Sequence, residues 1–170
     1  GAESLTINSF FCLYSPGQLV LSGEAVAVEK ASQLAKEAGA RRIVPLQVIG
    51  PFHSPLLEPA GDALSEELTK VAIQEPEIPA ISNVTARPVH TSEDIRKVLA
   101  QQVSNSVRWE DSMRYMLSQG VDTFIEVGPG KTLTGFMKKI DRNAAVYNIE
   151  NLDSLHTTLE SVSTRLEASL

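Results

Sequence analysis

Residues 123–168 read strand, turn, helix, strand, helix, and this order constrains the fold more than any other feature of the chain. Thr123-Phe124-Ile125-Glu126-Val127 is a continuous run of the kind found in buried strands. Gly128-Pro129-Gly130 cannot extend it and turns the chain into a helix over 131–140. Ala144 to Ile149 is a second strand, and a last helix over 152–168 places Leu152, Leu155, Leu159, Val162 and Leu166 on one stripe. Strands alternating with helices predict an α/β fold with a mostly parallel sheet.

The same grammar extends upstream. Asn8 to Tyr14 ends in a short apolar run that reads either as a strand or as the cut edge of something larger. Pro16-Gly17 is turn chemistry, and Gln18 to Ser22 reads as a strand. Glu24 to Ala38 predicts a helix with Val28, Ala31, Leu34, Ala35 and Ala38 on one face, stopped by Gly39. Residues 42–48 predict a buried strand. Gly50-Pro51-Phe52-His53-Ser54-Pro55 then leads into a helix over 57–73. Ala80-Ile81-Ser82-Asn83 is a short strand, Ser92 an N-cap for a helix to about Val103, and Val107 to Gln119 a further helix stopped at Gly120.

Composition narrows the function classes. A chain of 170 residues, 42% hydrophobic and 21% charged, holds one good core, or a small domain plus part of a larger one. Its net charge of −6 argues against nucleic acid as a partner. No run approaches the roughly 20 apolar residues that span a bilayer, so no membrane partner is expected. The one cysteine, Cys12, forms no intramolecular disulfide and fits a reducing compartment. Gly1-Ala2-Glu3-Ser4 lacks the basic start of a signal peptide, so a cytoplasmic location is expected. On that basis the sequon Asn83-Val84-Thr85 is read as structural.

His53 is the candidate reactive group. It sits in a loop between a predicted strand and a predicted helix, where a scaffold fixes both loop ends, and an imidazole there can act as a base near neutral pH. The alternative is a histidine that merely caps a turn. His90, in a polar turn, and His156, on the flank of the last helix, have plainer contexts. His53, His90 and Glu126 have no metal-ligand spacing, and no metal is expected. Gly130-Lys131-Thr132 resembles the end of a phosphate-binding loop, but Ile125 stands where that motif needs glycine. The turn is therefore read as a tight strand-to-helix junction whose helix amides could face an anion. The nucleophile elbow G-x-S-x-G is absent.

Four stretches, in order, resemble the malonyl-CoA:acyl carrier protein transacylases: Ser15-Pro16-Gly17-Gln18, Gly50-Pro51-Phe52-His53-Ser54-Pro55-Leu56-Leu57, Ile81-Ser82-Asn83-Val84-Thr85, and Glu126-Val127-Gly128-Pro129-Gly130-Lys131. The resemblance runs from about residue 15 to about residue 149 and is to the C-terminal half of that enzyme. It implies an incomplete ferredoxin-like small subdomain over 1–50, with 1–14 divergent, and the C-terminal part of the acyltransferase large subdomain over 51–170. The family's catalytic histidine falls on His53. The family glutamine whose main-chain carbonyl holds that imidazole falls on Gln102, while Ser106 stands where the family often has proline. Phe52 matches the bulky residue of malonyl-preferring relatives. A ring there crowds a methyl branch on the acyl group, worth about 1–3 kcal/mol of discrimination. Cys12 and Tyr14 replace asparagines that help to shape the family's acyl pocket.

The resemblance implies transfer of a malonyl group from coenzyme A to the phosphopantetheine thiol of acyl carrier protein, in fatty acid biosynthesis, through a malonyl-serine intermediate. The nucleophilic serine, the arginine that pairs with the malonyl carboxylate and an oxyanion-hole glutamine would all lie upstream of residue 1, in an N-terminal half. The chain alone is therefore expected to be inactive. A nucleophile within it would have to be Ser54 or Cys12. Malonyl-CoA is a substrate, and no cofactor is expected. A different class of function is a non-catalytic module that docks carrier protein or pairs with a nucleophile-bearing chain, for which Arg41, Arg42, Lys138 and Lys139 are candidate contacts. An inactive, self-associating fragment is the third reading.

Overall fold

The computed structural model describes residues 10–168, which fall into two compact units divided after Ser112. In the first, strand β1 (Phe10–Ser15) folds back onto β2 (Gln18–Ser22) as an antiparallel hairpin. Gly17 supplies the positive φ of 75° that its tight turn requires. The apolar run at 10–14 is thus a strand. Beyond the hairpin, β1 also meets the segment after α3 (Ser92–Ser104), through Leu13 N–H to the Val107 carbonyl at 3.1 Å.

Helix α1 (Ala25–Glu37) forms where its periodicity predicts, yet none of its residues is buried. The predicted strand over 42–48 does not form. These residues join no strand and are all exposed, with Leu46 at 58% and Val48 at 64% relative accessibility. The reason is physical: β-propensity records fit to a pleated, half-covered surface, and no described strand lies alongside to supply one.

The helix expected over 57–73 opens with a 3₁₀ turn at Pro55–Leu57 and continues as α2 (Glu58–Leu68). Helix α3 packs across it. Gly61 is buried there, and a β-carbon in its place would lie 3.0 Å from the Ala100 carbonyl, so the two backbones meet only because no side chain intervenes. Arg96 of α3 seals the contact by donating to the Leu68 and Val71 carbonyls at the end of α2 (3.1 and 2.9 Å). Thr91, not Ser92, caps α3. Its hydroxyl accepts from the Asp94 amide while the Asp94 carboxylate accepts from the Thr91 amide. Between α2 and α3, β3 (Ala80–Ile81) and β4 (Pro88–Val89) form a short hairpin.

Helix α4 (Trp109–Ser118) contains the division between the units. In the second unit, β5 (Thr123–Val127) and β6 (Ala145–Ile149) pair in parallel, from Thr123 opposite Ala145 to Val127 opposite Ile149. Helix α5 (Thr132–Ile140) makes the crossover that parallel strands require. Met137, 2% exposed, and Thr158 of the last helix α6 (Leu152–Glu167) are buried. Arg165 near the end of α6 donates to the Asp122 carboxylate ahead of β5 (2.8 Å). The α/β class and the parallel pairing are as the alternation predicts.

Candidate active site

A helix ends by leaving its last four carbonyls without an intrahelical partner. At the end of α3 the Gln101 carbonyl accepts from Asn105, through both its main-chain amide (3.0 Å) and its side-chain Nδ2 (2.8 Å). The next two carbonyls are taken by one residue 49 positions earlier. His53 N–H donates to the Val103 carbonyl at 3.1 Å, and His53 Nδ1 lies 2.9 Å from the Gln102 carbonyl. A carbonyl only accepts, so Nδ1 carries the proton and Nε2 keeps its lone pair. The scaffold beneath His53 is therefore the end of α3. The preceding strand that the sequence suggested for this purpose is not there.

The loop itself is held under strain. His53 has φ of 61°, a left-handed conformation that a residue with a side chain adopts at a cost of about 1–3 kcal/mol. Ser54 is fully buried, and its hydroxyl donates to the Pro51 carbonyl at 2.7 Å, closing the turn around His53. His53 is half-buried and the adjacent Phe52 is 47% exposed. Of the residues proposed from the sequence, His53 and the Gln102 main chain are brought together, with Phe52 next to them along the chain. The Gln102 side chain is not what makes the contact. Asn105 and Ser54 had no such role in the sequence reading. The only signal for Asn105 was its place just past a helical run.

Ser54 and Cys12 are poorly placed to be nucleophiles. The Ser54 hydroxyl is buried and committed to Pro51. Cys12 is 2% exposed, and its sulfur accepts from the Val107 amide at 3.3 Å. Tyr14, two residues along the same strand, has its phenol pushed above the usual tyrosine range by burial first, and then by the charge and hydrogen bonding of Cys12.

The turn at Gly128-Pro129-Gly130 belongs to the second unit. Gly128 and Gly130 take positive φ of 138° and 86°. The amides that open α5 do face an anion, and it is the protein's own. Glu126 accepts from Leu133 N–H at 3.0 Å and Thr134 N–H at 2.8 Å. Burial raises the Glu126 pKa, but hydrogen bonding from Thr134 and the Leu133 amide outweighs it, leaving the carboxyl below the usual glutamate range. Gly130 N–H donates to Glu150 at 3.2 Å, and Asn148 Nδ2 donates to the Gly130 carbonyl at 2.7 Å. Two carboxylates thus stand where a phosphate would need open amides. A shallow, mostly apolar groove of about 430 Å³ lies beside this turn, lined by Val127, Pro129, Ile149, Leu152 and Leu155 among others. Among the described residues no group of three or more His, Cys, Asp or Glu side chains could hold a metal ion. No helix among them is long and apolar enough to cross a membrane.

The α/β scaffold agrees with what comparison with known families finds. Residues 9–158 match the family described as the acyl transferase domain, and the chain belongs to that family. Within it, the similarity is to malonyl CoA-acyl carrier protein transacylases. The Bacillus subtilis (strain 168) protein is 42% identical over 150 residues, covering 88% of this chain and 47% of that protein. The Escherichia coli (strain K12) protein is 44% identical over 126 residues, covering 74% and 41%. Among solved structures, MCAT from Streptococcus pneumoniae superposes with a TM-score of 0.85 at 42% identity, over 90% of this chain and 50% of that one. A malonyl-transacylase in complex with a type II PKS acyl-carrier protein superposes at 0.88 and 34% identity, over 95% and 56%. The chain spans about half the length of the relatives it matches.

Proposed function

We propose that this chain supplies the general-base part of a malonyl-transfer site, with the nucleophilic serine contributed from outside these residues. The observation that carries this is the Nδ1–Gln102 hydrogen bond, because it leaves Nε2 as the nitrogen able to take a proton. In the proposed reaction Nε2 accepts the serine proton as the serine oxygen attacks the malonyl thioester of coenzyme A. The resulting imidazolium returns that proton to the departing thiolate, leaving malonyl-serine. The phosphopantetheine thiol of acyl carrier protein then loses its proton to Nε2 and attacks the ester, forming the malonyl thioester as the serine oxygen leaves and takes that proton back from the imidazolium. A carbonyl partner holds the imidazole in one tautomer through both steps, and serine and histidine together require neither a metal nor a redox group. Phe52 lies beside the base and would limit branching next to the reacting carbonyl.

The names of the relatives support the substrate and the carrier, and the complex of a related transacylase supports carrier docking. Arg41, Arg42, Lys138 and Lys139 are exposed and are the candidate contacts for an acidic carrier. The cytoplasm, where fatty acid synthesis takes place in bacteria, is the proposed location.

Intact-mass measurement after incubation with malonyl-CoA tests the missing nucleophile: the chain alone should gain no malonyl group, and a stoichiometric adduct would sink the reading. The base is tested by exchanging this chain's residues 9–158 for the matching segment of the Bacillus subtilis relative. The chimera should transfer malonyl groups, and His53→Ala should slow it by about 10²–10⁴. Undiminished transfer by the His53→Ala chimera would remove His53 from the chemistry.

A further inference from the structure

We propose that Ser54 is a positioning residue for His53: its buried hydroxyl, by closing the Pro51–Ser54 turn, keeps the imidazole proton on Nδ1. This deepens the proposed function and rests on His53 being the base. The left-handed φ of 61° at His53 is unfavourable for a residue with a side chain, so something must hold it. One hold comes from α3, through the Val103 and Gln102 carbonyls. The other is internal to the loop. Ser54 Oγ–H donates to the Pro51 carbonyl at 2.7 Å, so the two residues flanking Phe52-His53 are tied together. The Ser54 carbonyl meanwhile accepts from Leu57 N–H at 3.0 Å, anchoring the loop to the 3₁₀ turn that follows. With an exposure of 0%, the hydroxyl has no water to exchange this bond for.

The two holds act on one torsion. If the Ser54 tie is lost, His53 can relax toward negative φ, which swings its side chain away from the Gln102 carbonyl. The bond made by one ring nitrogen decides which of them carries the proton, so an imidazole that has lost the Gln102 carbonyl is no longer held as Nδ1–H and is free to take the Nε2–H tautomer of an exposed histidine. The lone pair would then sit on the wrong nitrogen. A serine that only filled space would leave the tautomer alone.

Nitrogen-15 NMR of the labelled chain reads the tautomer directly, at about pH 8.5, where ordinary imidazoles are neutral. His90 and His156 are exposed and serve as references in the same spectrum, and His53→Gln assigns the His53 signals by their loss. Wild type should show His53 as Nδ1–H, distinct from both references. Ser54→Ala should shift the His53 ring nitrogens to the pattern of His90 and His156. Ser54→Cys, whose thiol is a weak donor of similar size, should fall between. Ser54→Ala that folds and keeps the Nδ1–H pattern overturns the role of Ser54 and leaves His53 as base. If Ser54→Ala does not fold, Ser54→Cys decides, and a wild-type pattern in it overturns the role. A wild-type His53 already in the Nε2–H form overturns the base assignment itself, and this inference with it.

Discussion

The end of α3 and the start of α5 meet the same problem in opposite senses, and only one of the solutions leaves chemistry behind. Both are helix ends with unsatisfied backbone groups. At α3 the open carbonyls are met by donors of His53, and the ring has a second nitrogen left over. At α5 the open amides are met by Glu126, which uses both carboxylate oxygens. A bifunctional ring can satisfy a scaffold and still react. A carboxylate that accepts with both oxygens is closed. The glycine turn beside Glu126 shares the end of a phosphate-binding loop in sequence, yet the chain's own carboxylates take its amides, whereas the Pro-Phe-His-Ser loop presents a ring nitrogen that these bonds do not use.

The comparison breaks most sharply at the ring. His53→Ala should slow malonyl transfer by about 10²–10⁴ in the chimera described above, while Glu126→Gln should leave transfer by the same protein within a few-fold. Next is the packing that aims the α3 carbonyls. Gly61→Ala puts a methyl 3.0 Å from the Ala100 carbonyl. Separating α2 from α3 should cost about 1–3 kcal/mol in urea unfolding and weaken the His53 Nδ1–H signature, although no site residue is touched. Unchanged stability and an unchanged signature would show that α3 is placed by something other than this contact.

Glu126→Ala leaves two amides at the start of α5 without their acceptor. It should lower stability by about 1–2 kcal/mol, with Glu126→Gln intermediate, read by denaturant midpoint. Its pH dependence has a definite sign. The carboxyl titrates lower in the folded chain than in the unfolded one, so the folded state binds fewer protons. Its contribution is complete above the unfolded glutamate value of 4.5 and is lost as pH falls through the lower folded value. Wild type should therefore lose stability faster than Glu126→Gln between neutral pH and pH 3, and parallel curves would mean that the carboxylate charge does not matter. The smallest effect is expected from Thr91→Ala. It removes the cap at the far end of α3 at a cost of about 1 kcal/mol, and should leave the His53 signature unchanged.

Local chemistry made much of this legible in advance. The helices at 92–104, 132–140 and 152–167 begin and end within a residue or so of where caps, glycines and apolar periodicity put them, because those signals act within one turn. The alternation over 123–168 likewise determined the parallel pairing of β5 with β6. His53 could be singled out as a candidate from its loop and its motif. What the sequence alone could not decide were the events between distant residues. Arg41 to Val48 has the composition of a strand but stays unpaired, since a strand is defined by a neighbour and not by its own residues. The loop at His53 takes its rigidity from carbonyls 49 and 50 positions further along, which no local pattern encodes. Whether a helix-terminal amide stays open to a ligand or is filled by the chain's own glutamate depends on where the fold delivers that glutamate. Tertiary structure alone settles such pairings, because hydrogen bonds depend on distance in space and not along the chain.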